Sequence, residues 1–158
     1  MNNSLIIHYH GKIKYSEKDN IILISEDCNW KNDSIKKQLQ IDFLNIEDYV
    51  KATQLINQEF NEINKIIIIN DSYDLNMISY QYDYELIKKN YYSVGNLIFF
   101  INLLLDKFAE NMIFELLLEE ESHFKVHINN FNLSLKHYLK TLQKDLSKIG
   151  RASCRERV

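Results

Sequence analysis

The sequence predicts an α/β fold: a single parallel β-sheet with helices on both faces. Three observations carry the prediction. Short β-branched runs alternate with amphipathic stretches of crossover length, the order that yields parallel strands joined by helices. Two of those runs, Ile21-Ile-Leu-Ile24 and Ile66-Ile-Ile-Ile69, lack polar alternation, which marks strands covered on both faces. Asn45 opens a helix with a capping side chain, an acidic third position at Asp48 and an apolar stripe behind it.

Taken in order, residues 4–10 and 20–25 read as strands separated by a turn over 11–19. Residues 34–39 read as a short helix. The helix capped by Asn45 places Tyr49, Ala52, Leu55, Ile56 and Phe60 on its inner stripe. A buried strand follows at 66–69, expected with 21–25 at the centre of the sheet. Residues 83–108 read as a long helix with Leu86, Ile87, Asn90, Tyr91, Val94, Leu97 and Ile98 facing inward. Residues 112–118 read as another buried strand, although their leucines suit a helix equally. Residues 130–146 are amphipathic through Leu133, Leu135, Tyr138, Leu139, Leu142 and Leu146.

The carboxyl end stands apart. Ile149-Gly-Arg-Ala-Ser-Cys-Arg-Glu-Arg-Val158 reads as the translation of a common short-read sequencing adapter beginning ATCGGAAGAGCGTCGTGTAGG, and it brings an arginine-dense burst into a lysine-rich chain. It is set aside from fold reasoning as a scar is. Residues 1–148 then form the expected domain, a single structural subdomain truncated at its carboxyl end.

The bulk properties narrow the function. The chain carries a formal charge of −3, and the tail's excess of two positive charges leaves −5 for residues 1–148. An acidic balance without a basic cluster argues against a nucleic-acid partner. Without Cys154, Cys28 is alone, which excludes a disulfide framework and fits a reducing cytoplasm. The longest apolar run, 97–105, is broken by Asn102 and falls short of the about 20 residues that a membrane span needs. No basic region followed by an apolar stretch marks an export signal at the amino terminus. The abundance of Ile, Asn, Lys and Tyr and the absence of proline reflect an AT-rich genome rather than a function.

A doubly wound sheet invites a search for a Rossmann-type dinucleotide site, which needs glycines where backbone approaches a pyrophosphate. Residues 1–148 hold only Gly11 and Gly95, and the turn after the second strand reads Glu26-Asp27-Cys28-Asn29-Trp30-Lys31. Two carboxylates and an indole stand where phosphate would sit, so the fold is expected to be degenerate, with no cofactor-binding residues. Tyr84-Glu-Leu-Ile-Lys88 matches a Tyr-x-x-x-Lys proton-transfer pattern, with Ser72 as the polarising hydroxyl. In a chain this rich in Tyr and Lys, the bland reading of solvent-facing helix residues outweighs the catalytic one. Glu119, Glu120, Glu121, His123 and His127 resemble a metal cluster, but they follow an expected strand and read as a solvated turn. His8 and His10 share a strand face and read as surface residues, while Cys28 lacks an activating neighbour and reads as structural. No catalytic, cofactor-binding or metal residue is assigned.

Four segments, in order, carry a family resemblance: Asp19-Asn-Ile-Ile-Leu-Ile-Ser-Glu-Asp27, Asp42-Phe-Leu-Asn-Ile-Glu-Asp-Tyr49, Asn64-Lys-Ile-Ile-Ile-Ile-Asn70 and Asn90-Tyr-Tyr-Ser-Val-Gly-Asn-Leu97. The helix running from Asn130 to Asp145 follows them with its Lys-Thr pair. Together they resemble the amino-terminal half of modular polyketide synthase ketoreductases, though the family's usual proline and most of its glycines are missing. The resemblance implies a degenerate dinucleotide fold, the family's structural subdomain. It also implies that NADPH and the catalytic Ser, Tyr and Lys belong to a second, short-chain dehydrogenase-like half beyond Lys148, so none of them carries over. The parent would reduce a β-ketoacyl thioester held on an acyl carrier protein. The partners implied are that missing half of the same chain and, for the parent, the carrier protein. Tyr80, Tyr82, Tyr91 and Tyr92 are expected at the surface the missing half covers, leaving the fragment marginally stable alone. A free-standing, non-catalytic α/β interaction module is the competing expectation.

Overall fold

The computed structural model describes residues 2–13, 18–27, 35–71, 84–118, 126–147 and 153–157. Its strands are β1 (Asn3–His10), β2 (Asn20–Ser25), β3 (Ile35–Gln40), β4 (Ile63–Asn70), β5 (Phe108–Leu118) and β6 (Ser153–Arg157). Its helices are α1 (Ile46–Glu59), α2 (Tyr84–Leu103) and α3 (Val126–Ser147). The strands form one sheet in the order β3-β2-β1-β4-β5-β6, every neighbouring pair parallel. The sheet is Rossmann-like, with its topological switch point between β1 and β4. Residues 153–157, set aside on sequence, lie along β5 as its outer strand.

Chain direction determines where the helices go. From β3 to β4, β5 and β6 the connections run the same way across the sheet, and right-handed crossovers then stack α1, α2 and α3 on one face. There Leu5, Ile7, Ile22, Ile24, Ile66, Ile68, Phe114 and Leu116 of the sheet meet Tyr49, Ile56, Leu97, Phe100, Leu135 and Leu139 of the helices. The opposite face carries a smaller cluster of Ile6, Ile21, Leu23, Ile67, Ile69 and Leu117. No helix among the described residues packs on it, so the helices expected on both faces are seen on one. The connections that would cross that second face, residues 11–19 and 26–34, are nine residues each. A parallel crossover normally takes about a dozen or more.

The uninterrupted Ile runs behave as expected, with Ile21 to Ile24 and Ile66 to Ile69 buried through both faces. In α1 the Asn45 side chain accepts from Glu47 N at 3.1 Å, and Asp48 Oδ2 accepts from Asp42 N at 2.9 Å, fixing the chain's entry into the helix. Three expectations need correction. Residues 34–39 are not a helix: residues 35–40 form β3 at the sheet edge, where pairing with β2 overrides the helix propensity of Lys and Gln. The long helix stops at Leu103 rather than Phe108. Asn102 Nδ2 donates to Ile98 O at 2.9 Å, and Leu104 N then bonds Ile101 O, tightening the chain into a 3-10 turn at Leu105–Lys107 before β5. Tyr91 and Leu133, assigned inward, are 50% and 47% exposed. Leu133 lies two residues from both Phe131 and Leu135, and a step of two turns a helical side chain to the opposite side.

Candidate functional site at the carboxyl edge of the sheet

In open α/β sheets a ligand sits outside the carboxyl ends of the strands, at the switch point. Here that point lies where β1 ends in His8-Tyr9-His10 and β4 ends in Asn70, followed by Asp71. The two strands do not part. Asp71 N donates to His10 O at 2.9 Å, and the His10 ring donates through Nδ1 to Asp71 O at 2.8 Å. Gly11, at φ 108°, lies so close that a Cβ there would stand 2.9 Å from Asp71 O. Its glycine is thus required twice, for the positive φ and for the contact.

On the helix-covered side, aromatic rings fill the space over the β1 terminus. Tyr9 stacks on Phe43 at 4.2 Å between ring centroids and meets Phe131 of α3 edge-on at 4.9 Å. Phe43, just past β3, is held through its carbonyl, which accepts from Tyr49 Oη at 3.1 Å and from Asn96 Nδ2 at 2.9 Å. One acceptor thereby ties α1 and α2 to the chain leaving the sheet. Burial pushes the Tyr49 phenol well above its ordinary pKa, so it stays a donor. Beside this cluster, Asn70 Nδ2 donates to Asn132 Oδ1 of α3 at 3.1 Å, both side chains buried.

On the other face, His8 and Ser25 form a buried pair. His8 Nε2 donates to Gly11 O at 2.7 Å, which leaves Nδ1 of the neutral ring to accept from Ser25 Oγ at 3.3 Å. Ser25 Oγ in turn accepts from Asp27 N at 3.2 Å. Burial lowers the His8 pKa; the Gly11 carbonyl opposes this, His10 reinforces it, and Asp27 opposes it more weakly. A hydroxyl against an imidazole is the arrangement of nucleophilic catalysis, but Ser25 is only 3% exposed and cannot meet a substrate. The pair orders the turns after β1 and β2.

Past β2 and β3 lies an open depression of about 520 Å³, lined by Glu26, Gln40, Ile41, Asp42 and Asp48. Its carboxylates are engaged: Asp42 and Asp48 organise the start of α1, and Glu26 receives Lys89 Nζ at 2.6 Å.

The residues singled out from sequence are not gathered here. Tyr84 is 71% exposed, and Lys88 is exposed on the same helix; it is Lys89 that reaches the sheet edge. Ser72, Cys28, Trp30, Tyr80, Tyr82 and Glu119, Glu120, Glu121 and His123 lie outside the described residues, as does the side chain of His127. Among the described residues no group of three or more His, Cys, Asp or Glu is placed to hold a metal. His8, read as a surface residue, is 8% exposed, because the next strands on either side pack against it. Sequence reasoning missed Tyr9, Phe43 and Phe131. A signal was present for Gly11, one of two glycines before the tail, placed directly after a strand.

The fold places the chain among proteins with a short-chain dehydrogenase-like architecture. A short-chain dehydrogenase family protein from Francisella tularensis matches with a TM-score of 0.67 at 12% identity, over 94% of this chain and 65% of that one. An enoyl-(acyl-carrier-protein) reductase from Anaplasma phagocytophilum, solved with NAD, matches with a TM-score of 0.63 at 12% identity, over 92% and 66%. Aldohexose dehydrogenase from Thermoplasma acidophilum matches at 0.65 and 10% identity, over 98% and 65%. The chain thus spans just under two thirds of the length of these structures. No protein-family model matches the chain, and no curated protein does. Among the described residues no helix is long and apolar enough to cross a membrane.

Proposed function

We propose that this chain is the non-catalytic structural half of a polyketide synthase-type ketoreductase. It supports a second half of the same chain, which reduces a carrier-bound β-ketoacyl thioester with NADPH. The observation that carries the reading is the closed switch point. The fold is that of a dinucleotide-binding sheet, yet Gly11, directly after β1, packs on Asp71, and His10 bonds across to it. These groups do not fit a pyrophosphate, which needs free backbone N–H groups at a helix amino terminus. Glu26, Asp42 and Asp48 line the neighbouring depression with negative charge, which opposes phosphate as well.

Titration of the chain with NADPH, followed by nicotinamide fluorescence and calorimetry, is expected to show no saturable binding. A micromolar dissociation constant would overturn the reading. Sequencing the gene past codon 148 tests the other half of it. A glycine-rich fingerprint followed by Ser and Tyr-x-x-x-Lys is expected, whereas a stop codon leaves the free-standing interaction module.

A further inference from the structure

We propose that His8 is a proton-operated latch: its neutral ring holds the turn after β2 through Ser25, and protonation releases that turn while the one after β1 stays in place. The contacts define the tautomer. A carbonyl oxygen only accepts, so the 2.7 Å bond to Gly11 O puts the proton of the neutral ring on Nε2 and leaves Nδ1 as an acceptor. Ser25 Oγ, 3.3 Å from Nδ1, therefore gives its single hydrogen to the ring and turns a lone pair to Asp27 N at 3.2 Å. Ring, hydroxyl and amide form one directed chain of hydrogen bonds from β1 to the turn after β2.

Protonation acts on the two ring nitrogens unequally. Nε2 donates in both states, so the bond to Gly11 O survives. Nδ1 changes from acceptor to donor, and two donors, the ring and the Asp27 amide, then converge on Ser25 Oγ. The hydroxyl hydrogen loses its acceptor on a side chain only 3% exposed, where a polar hydrogen without a partner is destabilising. Moving the turn removes the conflict, because Ser25 re-aims its hydrogen once Asp27 N has let go. The charged and titratable groups around the ring are His10 on its own strand, Asp27 past β2, and Asp71 past β4, which packs on Gly11. His10 opposes a charge on the ring and the Asp27 carboxylate favours it, and Asp27 belongs to the turn that is freed. Glu26 opens that turn and holds Lys89 Nζ at 2.6 Å, so the release reaches α2. Burial lowers the pKa of the ring, which places the latch on the acid side of the ordinary imidazole value of about 6.5. The proposal does not depend on the ketoreductase reading.

NMR titration of the full chain from neutral to acid pH, following the His8 ring nitrogens and the backbone amides, tests it. The neutral ring is expected to carry its proton on Nε2, and the Nε2 proton to stay visible on both sides of the His8 midpoint. The Asp27 amide shifts with that midpoint, and its order parameter falls below it, from the rigid range of about 0.85 toward the flexible range under about 0.6. Asp27→Asn, which keeps the amide and removes the carboxylate's own titration, retains this transition. In Ser25→Ala His8 still titrates, but the Asp27 amide no longer follows it; circular dichroism checks that both variants keep their fold. A neutral ring protonated on Nδ1, or an Asp27 amide indifferent to the His8 midpoint, overturns the proposal. So does an Asp27 amide that follows His8 equally in Ser25→Ala, because the ring's charge then acts through space and not through the hydroxyl. Loss of the Nε2 proton below the midpoint, or a ring that stays neutral until the chain unfolds, overturns it as well.

Discussion

The Phe43 carbonyl offers a quantitative test of how the helices are fixed to the carboxyl edge. It lies on a residue only 1% exposed and accepts from two helices, through Tyr49 Oη at 3.1 Å and Asn96 Nδ2 at 2.9 Å. Tyr49→Phe keeps the ring against Phe43 and Phe100 but removes one donor, and Asn96→Ala removes the other. Each single change leaves the carbonyl one partner, so each costs about 1 kcal/mol, the net value of a neutral hydrogen bond. In a chain of this size that lowers the thermal midpoint by about 2–4 °C. The double variant is different in kind. It leaves a buried carbonyl with neither side-chain donor, and desolvation of such a group adds about 1–3 kcal/mol. The loss is therefore expected to exceed the sum of the single losses by about 1 kcal/mol or more. Urea unfolding of the four proteins, followed by circular dichroism, supplies the cycle. Additivity within about 0.5 kcal/mol would refute the shared-acceptor account, because independent sites add to that precision.

Gly11→Ala is expected to cost about 1–3 kcal/mol from the positive φ alone, with the contact against Asp71 added to it, as read from unfolding midpoints. Gly95→Ala, in a helix where a Cβ would meet nothing within 4 Å, is expected to raise the stability by about 0.5–1 kcal/mol. Because burial lowers the His8 pKa, the folded state binds fewer protons there than the unfolded chain does. Its contribution is therefore complete above the ordinary imidazole pKa of about 6.5 and is lost as pH falls from there toward the lowered folded value. Thermal midpoints measured down that range should decline, and His8→Gln, which keeps a donor for Gly11 O, should flatten the decline; an unchanged slope would exclude His8 as its source. Glu59, lowered chiefly by its bond to Lys37, acts in a separate and more acidic window, its contribution present above the ordinary carboxylate pKa and lost as pH falls through the folded value.

The elements legible in the sequence were those whose local and tertiary signals agree. Ile21 to Ile24 and Ile66 to Ile69 are strands by propensity and by burial alike, and Asn45 with Asp48 marks a helix start in any context. Ile35–Gln40 was not legible, because Lys36, Lys37, Gln38 and Gln40 favour a helix in isolation and only the edge of β2 makes them a strand. Charged residues on such an edge also discourage pairing with another chain. The site was least legible. Tyr9, Phe43 and Phe131 are far apart in sequence, and each alone is an ordinary apolar residue of a strand, a turn or a helix. They become a cluster only when parallel topology brings the ends of β1 and β3 beside the start of α3.

The connections after β1 and β2 and the contacts at the switch point meet at the same edge of the sheet. In a doubly wound sheet the pyrophosphate rests on the amino terminus of the helix that follows β1, and that helix lies on the face opposite α1, α2 and α3. Here nine residues separate β1 from β2, and the first of them, Gly11, turns onto Asp71 instead of opening toward a ligand. A second connection of nine residues leads from β2 to β3, opening with Glu26, which Lys89 draws to α2. Among the described residues of those two connections no helix offers an amino terminus to an anion, while the strand order and the three-helix layer are intact. Under the reading proposed above, that is the expected pattern of loss. A supporting half has to keep its sheet and its outer helix surfaces, while the crevice between β1 and β4 can be filled with the chain's own side chains.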